Sequence, residues 1–266
     1  MATTSVAVLE TPLVLGLLRR ADDALVLAHR LSEWCGHAPV LEEDIALPNI
    51  ALDLLGTARA LYEYAAEVEA GAHVPPRAPV LDEDALAFLR DDRQYRNALI
   101  TERPNGDFAH TIARQFLFSA LADPAWRALM QSADARLAAI AAKAEKESAY
   151  HLRHSAEWLI RLGDGTELSH ARAQAAVDAL WPYTGEMFEA DDAERALIDT
   201  GITPDPAGLR PVFDRTVDSV FAEATLTRPA DGWMHSGGRI GRHSEHLGPM
   251  LAEMQILPRT FPGATW

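Results

Sequence analysis

The chain contains one cysteine, Cys35, among its 266 residues. A single thiol cannot form an intramolecular disulfide, and it cannot supply the several thiolates that bind zinc or an iron–sulfur cluster. Because disulfides persist mainly in oxidising compartments, this cysteine count predicts a cytoplasmic location. Cys35 adjoins Gly36 and His37, yet we interpret it as a buried structural thiol and not as a reactive one.

Long apolar runs are also missing. No stretch approaches the roughly 20 apolar residues that a transmembrane helix needs. The apolar stretch 6–18 is interrupted by Glu10 and Pro12. Its positive charges, Arg19 and Arg20, follow the stretch, whereas a secretory signal peptide carries them first. We therefore expect neither a membrane span nor a signal peptide.

Basic residues are scarce: 24 Lys and Arg stand against 39 Asp and Glu, for a formal net charge of −15. A chain this acidic is repelled by nucleic acid and by anionic membrane surfaces, so both are excluded as main partners. The hydrophobic fraction of 48% is ordinary for a globular protein and excludes wholesale disorder. With no long polar linker and no fixed-period repeat, we predict a single domain over residues 1–266.

Alternating β-type patterns are scarce as well, and apolar residues instead recur at the helical spacing of three and four. The predicted helices are 12–34, 41–70, 82–100, 108–131, 135–162, 166–188, 209–226 and 245–257. Asp107 and Asp134 are predicted N-caps, Thr166 or Ser169 is predicted to open the sixth helix, and Pro48 should kink or shorten the second. Long helices joined by short turns predict an all-α fold, an antiparallel four-helix bundle with additional helices.

Helical bundles often hold two irons through paired Glu-x-x-His motifs on their long helices, because that spacing places both ligands on one face. The chain has one such motif, Glu167–His170, at the start of a helix and not within one. Asp107 with His110, and His243 with His246, are the nearest other arrangements, and helix capping or surface polarity explains them better. A nucleophile elbow, a phosphate-binding P-loop and a dinucleotide fingerprint are all absent from the sequence.

Four arginines crowd into fourteen residues of this acidic chain. They are Arg90, Arg93, Arg96 and Arg103. One interpretation is a solvated helix face that Asp91 and Asp92 balance, and the other is a site for phosphate groups, which guanidinium forks bind well. The residues alone leave both open.

Five motifs together carry a resemblance to a known family. They are EWCGHAP at 33–39, NIALDLLG at 49–56, PNGDF at 104–108, YHLR at 150–153 and EHLGPMLAEMQ at 245–255. From about residue 15 to residue 266, the chain closely resembles the PaaC family, the structural subunits of bacterial phenylacetyl-CoA epoxidase. The resemblance implies a ferritin-like, all-helical fold. It also implies a homologous catalytic subunit that carries a di-iron centre and a reductase that delivers electrons from NADPH. That complex forms the ring 1,2-epoxide of phenylacetyl-CoA with O₂.

The resemblance also indicates where iron ligands are lost. The two Glu-x-x-His pairs of the catalytic relatives should fall at Leu55/Ala58 and Ser148/His151, and their first lone Glu near Ala24. His151 alone keeps a ligand-type side chain, and 108–121 has no acid inside it. Aliphatic side chains cannot bind iron. We therefore expect no metal and no cofactor in this chain, and a non-catalytic structural role; the alternative is an independent di-iron oxygenase.

The resemblance suggests roles for two groups of residues. Polar residues expected to fill the vacated bundle centre are Asp53, Arg114, Gln115, Glu147 and His151. Residues expected to contact a coenzyme A ester or a partner subunit are Arg93, Gln94 and Asn97, with Glu42 and Asp44 as weaker candidates. Phenylacetyl-CoA is thus expected near the interface with the catalytic subunit.

Overall fold

The computed structural model describes residues 5–75 and 79–264. Within these residues the chain forms helices and no strand. The helices are α1 Pro12–Ser32, α2 Leu41–Ala72, α3 Glu83–Phe88, α4 Leu99–Glu102, α5 Phe108–Leu129, α6 Ala135–Gly163, α7 Glu167–Leu180, α8 Asp192–Asp199, α9 Pro206–Glu223 and α10 Leu247–Thr260. The predicted all-α fold is confirmed.

Four long helices form two antiparallel hairpins. α1 packs along α2, α5 packs along α6, and α2 contacts α6 across the hairpins. The other helices lie outside this bundle: α7 and α9 pack on α5, and α8 packs on α1. The arrangement is a ferritin-like bundle with additional helices, as predicted.

Side-chain caps begin the helices where the sequence predicts them. The carboxylate of Asp107 accepts a hydrogen bond from the amide of His110, and that of Asp134 accepts from the amides of Arg136 and Leu137. Thr166, and not Ser169, is the N-cap of α7. Each cap satisfies an amide that has no partner inside its helix.

The predicted helix over 82–100 is wrong. α3 ends at Phe88, a 3₁₀ turn follows at Asp92–Gln94, and α4 begins at Leu99. Carboxylates from distant elements take the backbone amides between them: Asp22 accepts from Arg96 (2.7 Å) and Asp23 from Ala98 (2.7 Å). Because these amides donate to α1, they cannot continue a helical ladder.

Three smaller expectations also need correction. The helix predicted to reach residue 188 ends at Leu180, and 3₁₀ turns follow it at Trp181–Tyr183 and Gly185–Phe188. The chain also contains α8, which the sequence analysis does not predict. Cys35 is exposed instead of buried. α2 includes Pro48 and extends to Ala72, and the kink expected at Pro48 stays a prediction.

The apolar core consists of two clusters of buried side chains. One lies mainly between α1 and α2, with Leu17 and Leu61 among its members, and the other joins α5, α7 and α9 around Phe116 and Trp181. Phe108 packs against both clusters, as does Phe118. The single-domain assignment stays a prediction. In the described residues, no helix has the length and hydropathy needed to cross a bilayer.

A fully buried arginine ties α1 to the segment after α3. The guanidinium of Arg90 donates to both carboxylate oxygens of Asp22, one at 3.1 Å, and to the carbonyl of Gln94 at 2.8 Å. The Tyr62 hydroxyl also donates to Asp22, at 2.5 Å. Burial alone would lower the pKa of Arg90, but the charge of Asp22 outweighs it and raises that pKa. The guanidinium of Arg90 therefore stays charged inside the protein.

Replacing Arg90 with methionine should strongly destabilise the fold. The Arg90→Met variant leaves the Asp22 carboxylate buried without its cation, which typically costs about 3–5 kcal/mol of unfolding free energy. Arg59→Met removes an arginine whose side chain is 66% exposed and should cost about 0–1 kcal/mol. Urea unfolding followed by circular dichroism measures both, and equal losses would contradict a structural role for the buried pair.

Candidate functional site

The centre of the four-helix bundle contains a cavity of about 290 Å³. All four long helices contribute to its inner lining. The residues that they contribute include Asp23 and Ala24 from α1, Leu54 and Thr57 from α2, Gln115 and Ser119 from α5, and Glu147, Ser148 and His151 from α6. These residues lie in the part of the bundle where other helical bundles can hold a metal site.

On α2, the residues that line the cavity lie one position before the expected pair. Leu55 is 46% exposed, so it cannot belong to the bundle centre, and Ala58 is buried without lining the cavity. Leu54 and Thr57 occupy the paired i, i+3 positions instead. Ala24, Ser148 and His151 line the cavity as expected. The corrected pair is still unable to supply a carboxylate or an imidazole.

These side chains do not fit a pair of irons. The paired positions offer one imidazole, from His151, together with hydroxyl and aliphatic groups, whereas iron sites of this kind need several carboxylate oxygens. Throughout residues 5–75 and 79–264, no three His, Cys, Asp or Glu side chains are grouped so that they could hold a metal ion. The donor set therefore disagrees with a di-iron centre in this chain.

Polar contacts between α2 and α6 occupy part of this region. Nε2 of His151 lies 3.1 Å from a carboxylate oxygen of Asp53. Burial lowers the pKa of His151, although Asp53 acts in the opposite direction. Glu147 accepts a hydrogen bond from Thr57 at 3.3 Å, and burial, with some repulsion from Asp53, raises the pKa of its carboxyl group. These contacts link α2 and α6 beside the cavity.

The two remaining residues assigned to the bundle centre lie on α5. Gln115 lines the cavity and donates to Ser119 at 2.9 Å, while its Oε1 has no partner among the described residues. Arg114 is fully buried but does not line the cavity. It donates to the carbonyl of Arg103 and, at 2.7 Å, to Asn105. Burial, with repulsion from nearby Arg30, lowers the pKa of Arg114 to about 9.

The five residues assigned to coenzyme A or partner contact differ widely in exposure. Arg93 and Glu42 are exposed. Gln94 donates to the carbonyl of Val6 at 2.7 Å. Asn97 is fully buried and donates to Glu102 at 3.0 Å. Asp44 accepts from the amides of the turn before α2, at 2.7 Å from Gly36 and 3.3 Å from Ala38.

The four clustered arginines do not form one cationic patch. Arg90 is buried against Asp22, and Arg96 pairs with Glu10 at 2.5 Å. Arg103 stacks over the ring of Tyr183, 4.7 Å from its centroid. Within the described residues, no hydrogen bond or ion pair holds the guanidinium of Arg93 or of Arg103, and Arg93 also lacks an aromatic contact.

The isolated His-containing motifs have structural roles. Nδ1 of His170 lies 2.8 Å from the carbonyl of Gly163, at the end of the preceding helix. His243 is buried beside Glu102 at 2.8 Å. Burial alone would lower the pKa of His243, but the hydrogen bond and charge of Glu102 raise it. These contacts fix loops and do not assemble a catalytic group.

Sequence reasoning missed a buried contact one to two turns further along the same side of α6. Glu43 is buried, accepts from the indole of Trp158 at 2.7 Å and lies 3.0 Å from Nε2 of His154. Its signal in the sequence was weak, because Glu43 stands in a run of three acids at the start of α2 that is typical of a solvated first turn. Only the packing of α6 distinguishes it from Glu42.

The fold and its centre define a class: a ferritin-like helical bundle whose central positions lack the carboxylates of a di-iron site. The family model described as phenylacetic acid catabolic protein matches residues 2–266, and the chain belongs to that family. It is similar to the C subunit of the 1,2-phenylacetyl-CoA epoxidase of Escherichia coli (strain K12). The two are 51% identical over 249 residues, which cover 94% of this chain and 97% of the relative.

The donor set at the bundle centre predicts weak iron binding. After anaerobic incubation with excess Fe(II) and desalting, the purified chain should retain far fewer than two irons, measured by plasma mass spectrometry. The His151→Ala variant is the control: iron bound adventitiously at the surface should be unchanged by it. Two irons per chain that disappear in His151→Ala would contradict our assignment of the centre.

Proposed function

We propose that this chain is a non-catalytic structural subunit of a phenylacetyl-CoA 1,2-epoxidase complex in aerobic phenylacetate degradation. One observation carries the proposal: in a chain 51% identical to a subunit of such an epoxidase, Ala24, Leu54 and Ser148 line the bundle cavity. We infer that these are the positions at which a di-iron bundle would need carboxylates. An independent di-iron oxygenase, the alternative, would need those ligands. We therefore favour the supporting role.

The partners follow from this role. A homologous subunit of the same bundle fold would carry the di-iron centre and perform the oxygenation, and a reductase component would supply its electrons. The chain itself would contribute a folded surface and no redox group. The family match and the subunit designation of the relative support this assignment, and a cytoplasmic location stays part of the proposal.

An apolar face of α2 is the surface that we assign to the catalytic subunit. Leu41, Ile45, Leu52 and Leu55 recur on one side of the helix and are 72%, 55%, 64% and 46% exposed. We call these four residues the α2 face. Clustered exposed aliphatic residues on a folded protein mark interaction sites, because their contact with water is unfavourable. A subunit of a stable complex needs such a surface.

The Leu52→Glu variant tests this surface. When the chain is co-expressed with the di-iron homologue from its own organism, affinity capture of the homologue should recover wild type. Leu52→Glu should reduce recovery at least tenfold, because binding would bury an unpaired carboxylate. Leu168→Glu changes an equally exposed leucine on α7 and should bind normally.

The outcomes distinguish the proposed subunit role from the assignment of the α2 face as its interface. If wild type is not recovered, the structural-subunit proposal fails. If wild type and Leu52→Glu are recovered equally, the α2 face is not the interface, but the subunit role stands. Circular dichroism of each variant excludes loss of folding as the cause.

We also propose that Arg93 contacts the phosphates of the coenzyme A ester in the assembled complex. Its guanidinium is exposed and lacks an internal partner in the described residues, whereas Gln94 and Asn97 use their amides in hydrogen bonds within the fold. A charge-assisted contact to phosphate suits an arginine in this state. Of the three residues expected to contact coenzyme A, only Arg93 therefore stays a candidate for binding its phosphates. Glu42 is exposed and stays a candidate for contact with the partner subunit.

In the assembled complex, Arg93→Ala should raise the apparent Kd for phenylacetyl-CoA about five- to tenfold at low salt, because one charge-assisted contact is lost. Arg195→Ala removes an arginine from α8 whose side chain is also well exposed and serves as the control. Fluorescence titration measures both. An unchanged Kd for Arg93→Ala would indicate that Arg93 is an ordinary solvated charge that does not contact the ligand.

A further inference from the structure

The central cavity extends well beyond the positions that a metal would occupy. It lies between α1 and α5, and a row on α5 forms an apolar wall that includes Phe118, Ala122 and Trp126. Its lining ends at the exposed residues Glu189, Ser236 and Ile240, where it opens to solvent. The cavity is thus a pocket with a buried inner end and a mouth.

The inner end has hydrogen-bonding capacity that the protein does not use. Gln115 is 1% exposed, and its Oε1 has no partner among the described residues. Such buried acceptors nearly always find a donor in folded proteins, since an unpaired one is costly. A ligand that fills the inner end could supply this donor.

The charged groups near the mouth are already paired. Arg19 and Arg20 each donate to Glu194, and Arg239 donates to Asp23 at 2.8 Å. Asp191 also pairs with Arg19. Among the described residues that line the cavity, every guanidinium is thus paired with a carboxylate, although the buried Nε of Arg19 has no partner among them. Because these charges already neutralise one another, an uncharged occupant fits best.

The size and wall of the pocket narrow the ligand further. A dry apolar cavity of about 150 Å³ is known to hold benzene, and this one is about 290 Å³. Phe118 and Trp126 offer ring surfaces on one wall. We propose that the cavity binds a neutral monocyclic aromatic molecule with a short hydrogen-bond-donating group, the ring against α5 and the donor at Gln115. This site is independent of the proposed subunit role.

Phenylacetamide and phenylacetate form a matched pair of probes, because they differ mainly in charge and in the amide donor. By isothermal titration calorimetry with the full chain, phenylacetamide should bind saturably and at least tenfold more tightly than phenylacetate. Ala122→Phe fills the apolar wall and should weaken phenylacetamide binding at least tenfold. Ala128→Phe makes the same change on α5 outside the cavity lining and should not.

A second measurement does not depend on any variant. In ¹H–¹⁵N spectra of wild type, phenylacetamide should shift the indole signal of Trp126 more than those of Trp34 and Trp233, which do not line the cavity. Saturable binding with this pattern supports the site. Three results would overturn it: no saturable binding, binding that Ala122→Phe leaves unchanged, or equal affinity for the two probes.

Discussion

Two adjacent buried carboxylates on α1 organise the part of the chain that is not a long helix. Asp22 pairs with Arg90 and accepts the amide of Arg96, while Asp23 pairs with Arg239 and accepts the amide of Ala98. Buried charges must be paired, and buried amides must find acceptors. The same two residues meet both requirements. Segment 90–98 and the loop around 237–239 can therefore adopt their observed positions only when α1 is folded and packed.

The ion pairs of these two acids explain why α1 offers no free carboxylate to the bundle centre. Asp23 lines the central cavity, but its carboxylate is engaged by Arg239, and burial still raises its pKa. The next residue along α1, which faces the centre, is Ala24. On α1, then, both acids are engaged in ion pairs that stabilise the fold. The pair between Asp23 and Arg239 also ties α1 to the loop around 237–239.

Local signals in the sequence predicted the four long helices and their caps, because apolar spacing and caps such as Asp107 act within a few residues. The break between 88 and 99 was not predictable in this way, since the acceptors that disrupt the helix lie some 75 residues away in sequence. The arginine cluster could not be interpreted from the sequence for the same reason, because the acidic partners of Arg90 and Arg96 are distant in sequence. Three assigned residues, Gln115, Glu147 and His151, do line the cavity. On α2, the residues that line it lie one position before the expected pair, which only the exposure of Leu55 revealed.

α2 connects the two surfaces to which we assign binding. Its inner side presents Leu54 and Thr57 to the cavity, and its outer side presents Leu52 and Leu55 to solvent. Asp53 lies between them and contacts His151 on α6, which also lines the cavity. A helix moves as one unit, so its inner and outer sides cannot shift independently of each other. A partner bound to the α2 face would therefore contact the same helix that lines the cavity. The contact between Asp53 and His151 joins this helix to α6, which also lines the cavity.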